Sequence, residues 1–300
     1  MSSLGGDLSV RERPSGGEVA AGVRENPPGW TLLYGRVVIF VHGYNNSLRA
    51  ACKSYAKLRR LMPSRFPRVG HFFWPGDLSN GLLSKLSFPA QIAGAREAGE
   101  KLAEFLQGVE RLRRTPLEIV LVGHSLGCRV ILEMLRDVVD PGRAPWPRVP
   151  VVCLMAAAVP TGHVRPDGRL EDAIGIGKER LVLFSPDDGV LRWTFPIGQF
   201  FAEGRAGADG LLPEAVGRHG NPKSYPTQSY EMSGNGHGDY WSDDRVIDCL
   251  APLVGVATPR RIDARRIVGR EMPPPIEELI RRAPERRVGT AWRSECEGAG

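Results

Sequence analysis

Five residues, Gly123-His124-Ser125-Leu126-Gly127, separate two apolar stretches of different period in LVGHSLGCRVILEML, residues 121–135. A Gly-x-Ser-x-Gly segment activates a serine when it turns sharply from a strand into a helix. The turn exposes the hydroxyl, and the helix start offers amide N–H groups to a developing oxyanion. Alone the motif is weak, since a chain with 36 glycines can match it by chance. Its context is specific: a strand pattern ends at Gly123-His124 and a helical pattern begins just after Ser125. Leu126 N–H is then one expected oxyanion donor. The second is expected from Tyr44 N–H in FVHGYNNS, the loop after an earlier strand, where His42-Gly43 turns the chain. His42 is assigned a structural hydrogen-bonding role, because that loop must present backbone.

A serine hydroxyl needs a base, and the base needs an acid to hold its tautomer. In the strand-turn-helix architecture the chain order is serine, acid, histidine. His237, among glycines in GNGHGDYW just ahead of the last helical pattern, fits the base; His219 and His163 fit that order less well. The acid is expected just after the run RLVLFSP, where Asp187 and Asp188 are adjacent. If Ser185-Pro186 still completes the strand, Asp188 lies further into the loop and reaches His237 more freely. Asp188 is the favoured acid and Asp187 the alternative.

The elements that must position these groups are legible as short β-rich runs at 36–42, 68–75, 117–124, 149–157 and 180–186. Such nearly continuous apolar runs mark parallel strands buried on both faces. Helical spacing fills the intervals over 48–62, 90–113 and from Ser125 to Val138, giving β-α-β-α-β-α-β order. A mostly parallel, doubly wound α/β sheet with helices on both faces is expected. Residues 1–28, rich in Gly, Pro, Ser and charge, are expected to be flexible, with the domain over 29–257. Within it, 190–232 reads as an irregular excursion able to act as a cap or lid. A helix over 242–254 is expected with Ser242 as its N-cap, and 258–300 forms a basic C-terminal extension.

VVIFVHGYNNS, FFWPG, VGHSLGCRVILEML, SPDDGVL and HGDYW, in that order, resemble the bacterial serine-esterase-like α/β-hydrolases. Their pattern is HG[FY]NN, a strand ending in WP, [GA]HS[ML]G, a Ser-x-x-Asp loop and a His-x-Asp-Tyr segment. The resemblance spans residues 35 to 252 and implies an α/β-hydrolase fold with Ser125 as nucleophile, His237 as base and Asp188 as acid. One departure is GDLSN after the WP strand, in place of a Ser-x-Gly type loop.

Composition is that of an ordinary globular protein, 42% hydrophobic and 25% charged, enough for a sizeable core. Much of the net charge of +6 comes from a cluster of arginines between 259 and 287, where acidic residues interrupt the run and no aromatic residues interleave. That pattern argues for a solvated tail over nucleic-acid binding. The cysteines, Cys52, Cys128, Cys153, Cys249 and Cys296, show neither a disulfide framework nor metal-ligand spacing. With no signal-peptide core and no membrane-length apolar run, they suggest reduced thiols and a cytoplasmic location; specialised secretion and peripheral membrane contact stay open. The expected activity is hydrolysis of a small-molecule or lipid carboxylic ester through an acyl-enzyme, with no metal or organic cofactor. Lipase, phospholipase and thioesterase chemistry are the near alternatives. A non-catalytic binding protein on a hydrolase fold is the rival from another class. Trp193, Phe195, Phe200 and Phe201 could line an acyl pocket or serve ordinary packing.

Overall fold

The structure is a computed structural model that describes residues 6–13, 17–44, 46–77, 88–138, 145–203, 212–222 and 227–256. The expected strands appear as β3 (Arg36–Val41), β4 (Arg68–Phe73), β5 (Glu118–His124), β6 (Arg148–Met155) and β7 (Glu179–Phe184). β3 carries Val37, Val38, Ile39, Phe40 and Val41 with no more than 1% of any of them exposed. Strands so buried satisfy their backbone only within a sheet covered on both sides, and each such side chain stabilises the fold by about 1.5–3 kcal/mol.

Three strands lie beyond the expected set: β1 (Gly6–Arg11), β2 (Val19–Asn26) and β8 (Gln228–Glu231). The sheet has the order β2-β1-β4-β3-β5-β6-β7-β8, antiparallel only between β1 and β2. The flexibility expected over residues 1–28 is therefore corrected where the strands lie, over Gly6–Arg11 and Val19–Asn26. Leu8 and Val10 in β1 are fully buried, and β1 runs parallel to β4 with Leu8 opposite Phe72. Averaging over Gly, Pro and Ser hides a strand this short, one of whose two neighbours, β4, is remote in sequence.

The helices are α1 (Trp30–Leu33), α2 (Leu48–Leu61), α3 (Phe88–Leu112), α4 (Leu126–Arg136), the short α5 (Thr161–Val164) and α6 (Glu171–Gly175), α7 (Phe195–Glu203), the short α8 (Val216–His219) and α9 (Asp244–Leu253). In α4, Leu126 through Leu135 are all buried, including Arg129 and Glu133. Those two charges are tolerable because Arg129 Nε lies 3.2 Å from Glu133, which also pairs with Arg136 and Arg169. Asp243, rather than Ser242, caps α9, its carboxylate accepting from Arg245 N–H. The segment expected to be irregular from 190 carries a π-helical turn at Val190–Thr194, then α7, α8 and β8. Residues 204–211 and 223–226 of it, and the basic extension over 258–300, lie outside the described residues.

From β3 the chain passes to β4 on one side and then crosses to β5 on the other, so β3 and β5 flank the point where winding reverses. Ligands of open α/β sheets bind at such a point, beyond the carboxyl ends of the strands. The HGY loop leaves β3 there, and Ser125 leaves β5. Among the described residues, no helix is long and apolar enough to cross a membrane. Cys128, Cys153 and Cys249 are free and buried.

Candidate active site

Ser125 sits between the last residue of β5 and the first of α4 with φ 54° and ψ −124°. A positive φ is unfavourable for a residue with a Cβ and is maintained only where the surroundings over-determine it. Here Ser125 N–H donates to Met155 O at 2.9 Å, while Ser125 O accepts from Cys128 N–H and Ala158 N–H at 3.1 Å. Close packing demands the flanking glycines. A Cβ on Gly127 would stand 2.4 Å from His42 O and 2.5 Å from Val41 O, and one on Gly43 would stand 2.7 Å from Ser125 Cβ. The loop after β3 and the start of α4 can meet only because both positions lack a side chain.

Ser125 Oγ lies 2.8 Å from His237 Nε2, and His237 Nδ1 lies 2.8 Å from Asp188 Oδ2. The three residues are separated by 112 and 49 positions along the chain. Asp188 is fully buried, whereas the His237 side chain is 20% exposed. The other Asp188 oxygen, Oδ1, accepts from Leu191 N–H at 3.0 Å, so the carboxylate cannot rotate away from the histidine without losing that bond. Asp187 points elsewhere: it is exposed, and its Oδ2 accepts from Gly234 N–H at 2.8 Å, tying the two loops together. Neither His219 nor His163 is the partner of Ser125 Oγ.

The loop carrying His237 is held by charge. Asp239 accepts from Gly236 N–H at 2.7 Å, and Asp243 accepts from Asn235 Nδ2 at 2.8 Å and pairs with Arg245. Burial pushes the Asp243 carboxyl up, but hydrogen bonds from Arg245 and Asn235 outweigh it and hold the carboxyl below its ordinary range. Arg245 Nη2 also donates to Asn235 Oδ1 at 2.6 Å.

Leu126 is fully buried at the first position of α4, where a backbone N–H has no partner within the helix. Tyr44 is half-buried in the loop after β3, and Asn46 Nδ2 donates to the carbonyls of Gly43 and Tyr44 at 3.2 and 3.1 Å. His42 accepts from Trp74 N–H at Nε2 over 3.3 Å, so its proton sits on Nδ1, which donates to Gly43 O at 2.9 Å. Both nitrogens are thus committed to loop structure. Cys128 is fully buried, and burial pushes its thiol well up.

His124 has no role that the sequence alone would assign. Its Nε2 is 2.6 Å from His237 O, and a carbonyl accepts only, so Nε2 carries the proton and donates. The bond braces the backbone of His237 from the residue next to Ser125. A histidine one residue before the serine is the available signal, but its partner is far away in sequence.

Burial, followed by the charge of Arg11, lowers the pKa of His42 to about 3; burial, followed by the charge of His237, does the same for His124. Both values lie below the unfolded 6.5, so stability is intact above pH 6.5 and falls as pH drops from there toward 3. Each histidine contributes a slope of up to about 1.4 kcal/mol per pH unit in that window. Urea denaturation between pH 7 and 5 should show the loss, and His124→Gln should flatten it. An unchanged slope in that variant would remove His124 from the account.

Among the described residues, no group of three or more His, Cys, Asp or Glu side chains is placed to hold a metal ion. Trp193 is 66% exposed and Phe195 buried, while the side chain of Phe201 lies outside the described residues.

The sheet order, the crossover between β3 and β5 and the strand-turn-helix at Ser125 define an α/β-hydrolase. Residues 33–197 match the family described as alpha/beta hydrolase of unknown function (DUF900), and the chain belongs to that family. Among solved structures, it is similar to the crystal structure of the gene lin2722 products from Listeria innocua. That likeness has 12% identity and a TM-score of 0.43, covering 77% of this chain and 96% of the other. No curated protein matches the chain.

Proposed function

We propose that the protein is a serine hydrolase that cleaves carboxylic esters through an acyl-enzyme intermediate. The observation that carries this reading is the continuous 2.8 Å contacts from Ser125 Oγ through His237 to the buried Asp188. In the proposed cycle, Ser125 Oγ attacks the ester carbonyl while its proton passes to His237 Nε2. Asp188 holds the Nδ1 proton and stabilises the imidazolium that forms. The N–H groups of Leu126 and Tyr44 bind the oxyanion, with the α4 dipole favouring the negative charge. The tetrahedral intermediate collapses as His237 returns the proton to the leaving alcohol. Water, deprotonated by the same histidine, then attacks the acyl group and releases the acid and Ser125.

Lipase or phospholipase chemistry is the second reading. Val190, Trp193 and Ile197, spaced three and four apart just after Asp188, are 43%, 66% and 55% exposed. An exposed apolar stripe beside the candidate acid suits a substrate presented by a lipid surface.

Incubation with a fluorophosphonate probe, followed by peptide mapping, tests the main reading; the adduct is expected on Ser125. A p-nitrophenyl ester series of graded acyl length, with a thioester analogue alongside, then separates esterase, lipase and thioesterase activities. An unlabelled, inactive wild type would leave the non-catalytic binding protein as the better account.

A further inference from the structure

We propose that Arg11, on the N-terminal strand, is a positioning residue that holds the Tyr44 loop in place for oxyanion binding. This rests on the reading of Tyr44 as an oxyanion donor. It brings β1, which lies outside the segment matched by the family, into the functional unit.

A bulge sets the geometry. The register of β1 against β2 shifts between Ser9 and Arg11, which breaks the alternation of the strand and leaves both Val10 and Arg11 fully buried. Because Ser9 pairs with Phe73 near the end of β4, Arg11 is level with the loop that leaves β4. Its guanidinium spans two loops at once. Nη1 donates to Trp74 O at 2.7 Å and to Asn46 O at 3.4 Å, and Nη2 makes an ion pair with Asp77. Nε donates to Arg13 O at 3.2 Å, and the carbonyl of Arg11 accepts from Arg24. The two loops also touch each other, since a Cβ on Gly76 would stand 3.1 Å from Gly43 O.

The path to Tyr44 is therefore short. Arg11 holds the backbone of Asn46, and the Asn46 side chain turns back onto the carbonyls of Gly43 and Tyr44. An arginine suits this place because its rigid fork serves several acceptors in different directions. An apolar side chain of similar volume would avoid the desolvation penalty of a buried cation, so packing alone gives no reason for a charge here. The departure at GDLSN becomes intelligible as well: Asp77, just after Gly76, supplies the countercharge.

The test uses the full chain with Arg11→Met and Arg11→Lys, read by amide hydrogen exchange and by kinetics on p-nitrophenyl acetate. Exchange over residues 42–47 and 74–77 is expected to rise about tenfold in Arg11→Met, with β5 and α4 unchanged. Its kcat is expected to fall by about 10- to 100-fold with KM within about twofold, because a misplaced donor is lost mainly from the transition state. Arg11→Lys keeps the charge opposite Asp77 but loses the fork, so it should recover part of kcat; it also carries the test if Arg11→Met does not fold. Unchanged exchange in those loops, or a kcat loss that only follows the unfolded fraction, would overturn the proposal. A wild type without esterase activity would defeat the reading of Tyr44, and with it the role in catalysis, while the exchange data would still show whether Arg11 anchors the loop.

Discussion

Ser125→Ala is expected to lower kcat/KM for p-nitrophenyl esters by about 10³- to 10⁶-fold and to abolish fluorophosphonate labelling. The substitution removes Oγ, the atom 2.8 Å from His237 Nε2, and little else. Alanine and serine bear a similar backbone penalty at φ 54°, so the turn itself is not relieved or worsened. The bonds that maintain it, Ser125 N–H to Met155 O and Ser125 O from Cys128 and Ala158 N–H, involve only backbone. The lost side-chain hydrogen bond contributes about 1 kcal/mol to stability, so a thermal melt should move by only a few degrees. A folded variant that keeps a tenth or more of wild-type activity would exclude Ser125 as the nucleophile.

Asp188→Asn should lower kcat by about 10⁴-fold, whereas Asp187→Asn should stay within about threefold of wild type. The asymmetry comes from where each carboxylate points. Asp188 Oδ2 accepts the His237 Nδ1 proton and Oδ1 is fixed by Leu191 N–H. In Asp188→Asn, a side-chain amide that keeps the Leu191 bond through its oxygen therefore turns its NH₂ toward the imidazole. That favours the tautomer with its proton on Nε2, where it can no longer take the proton of Ser125. Asp187 instead accepts from Gly234 N–H at the surface, and an asparagine side-chain oxygen can do the same. Steady-state kinetics on the two variants decide the matter, and a larger loss at Asp187 would reverse the assignment.

The candidate serine and histidine were legible because the chemistry restricts residue type and chain order together. Gly-His-Ser-Leu-Gly between a strand and a helix, followed by an acid and then His237 in a glycine-rich loop, is a combination that chance seldom produces. The acid was legible only as a pair of neighbours. Asp187 and Asp188 differ in burial and hydrogen-bond direction, and both depend on the turn after β7 and on a loop some 49 positions away. The N-terminal strands were not legible at all. β1 is six residues within a Gly- and Ser-rich stretch, and of its two neighbours in the sheet, β2 is itself masked by mixed polarity and β4 begins only at Arg68.

The parallel strand runs, the strand-turn-helix at Ser125 and the order of serine, acid and histidine are legible in the amino-acid sequence. Local periodicity and steric size suffice for these. Which aspartate faces the histidine, the donation of His124 to the His237 carbonyl and the bond from Arg11 to Asn46 O in the loop bearing Tyr44 arise only in the folded chain. The physical reason is range. A hydrogen bond is set by direction and by distances of about 3 Å, and a buried charge by partners that replace its water. For Arg11 and Asp77 those partners lie 66 residues apart and meet only once the sheet has formed.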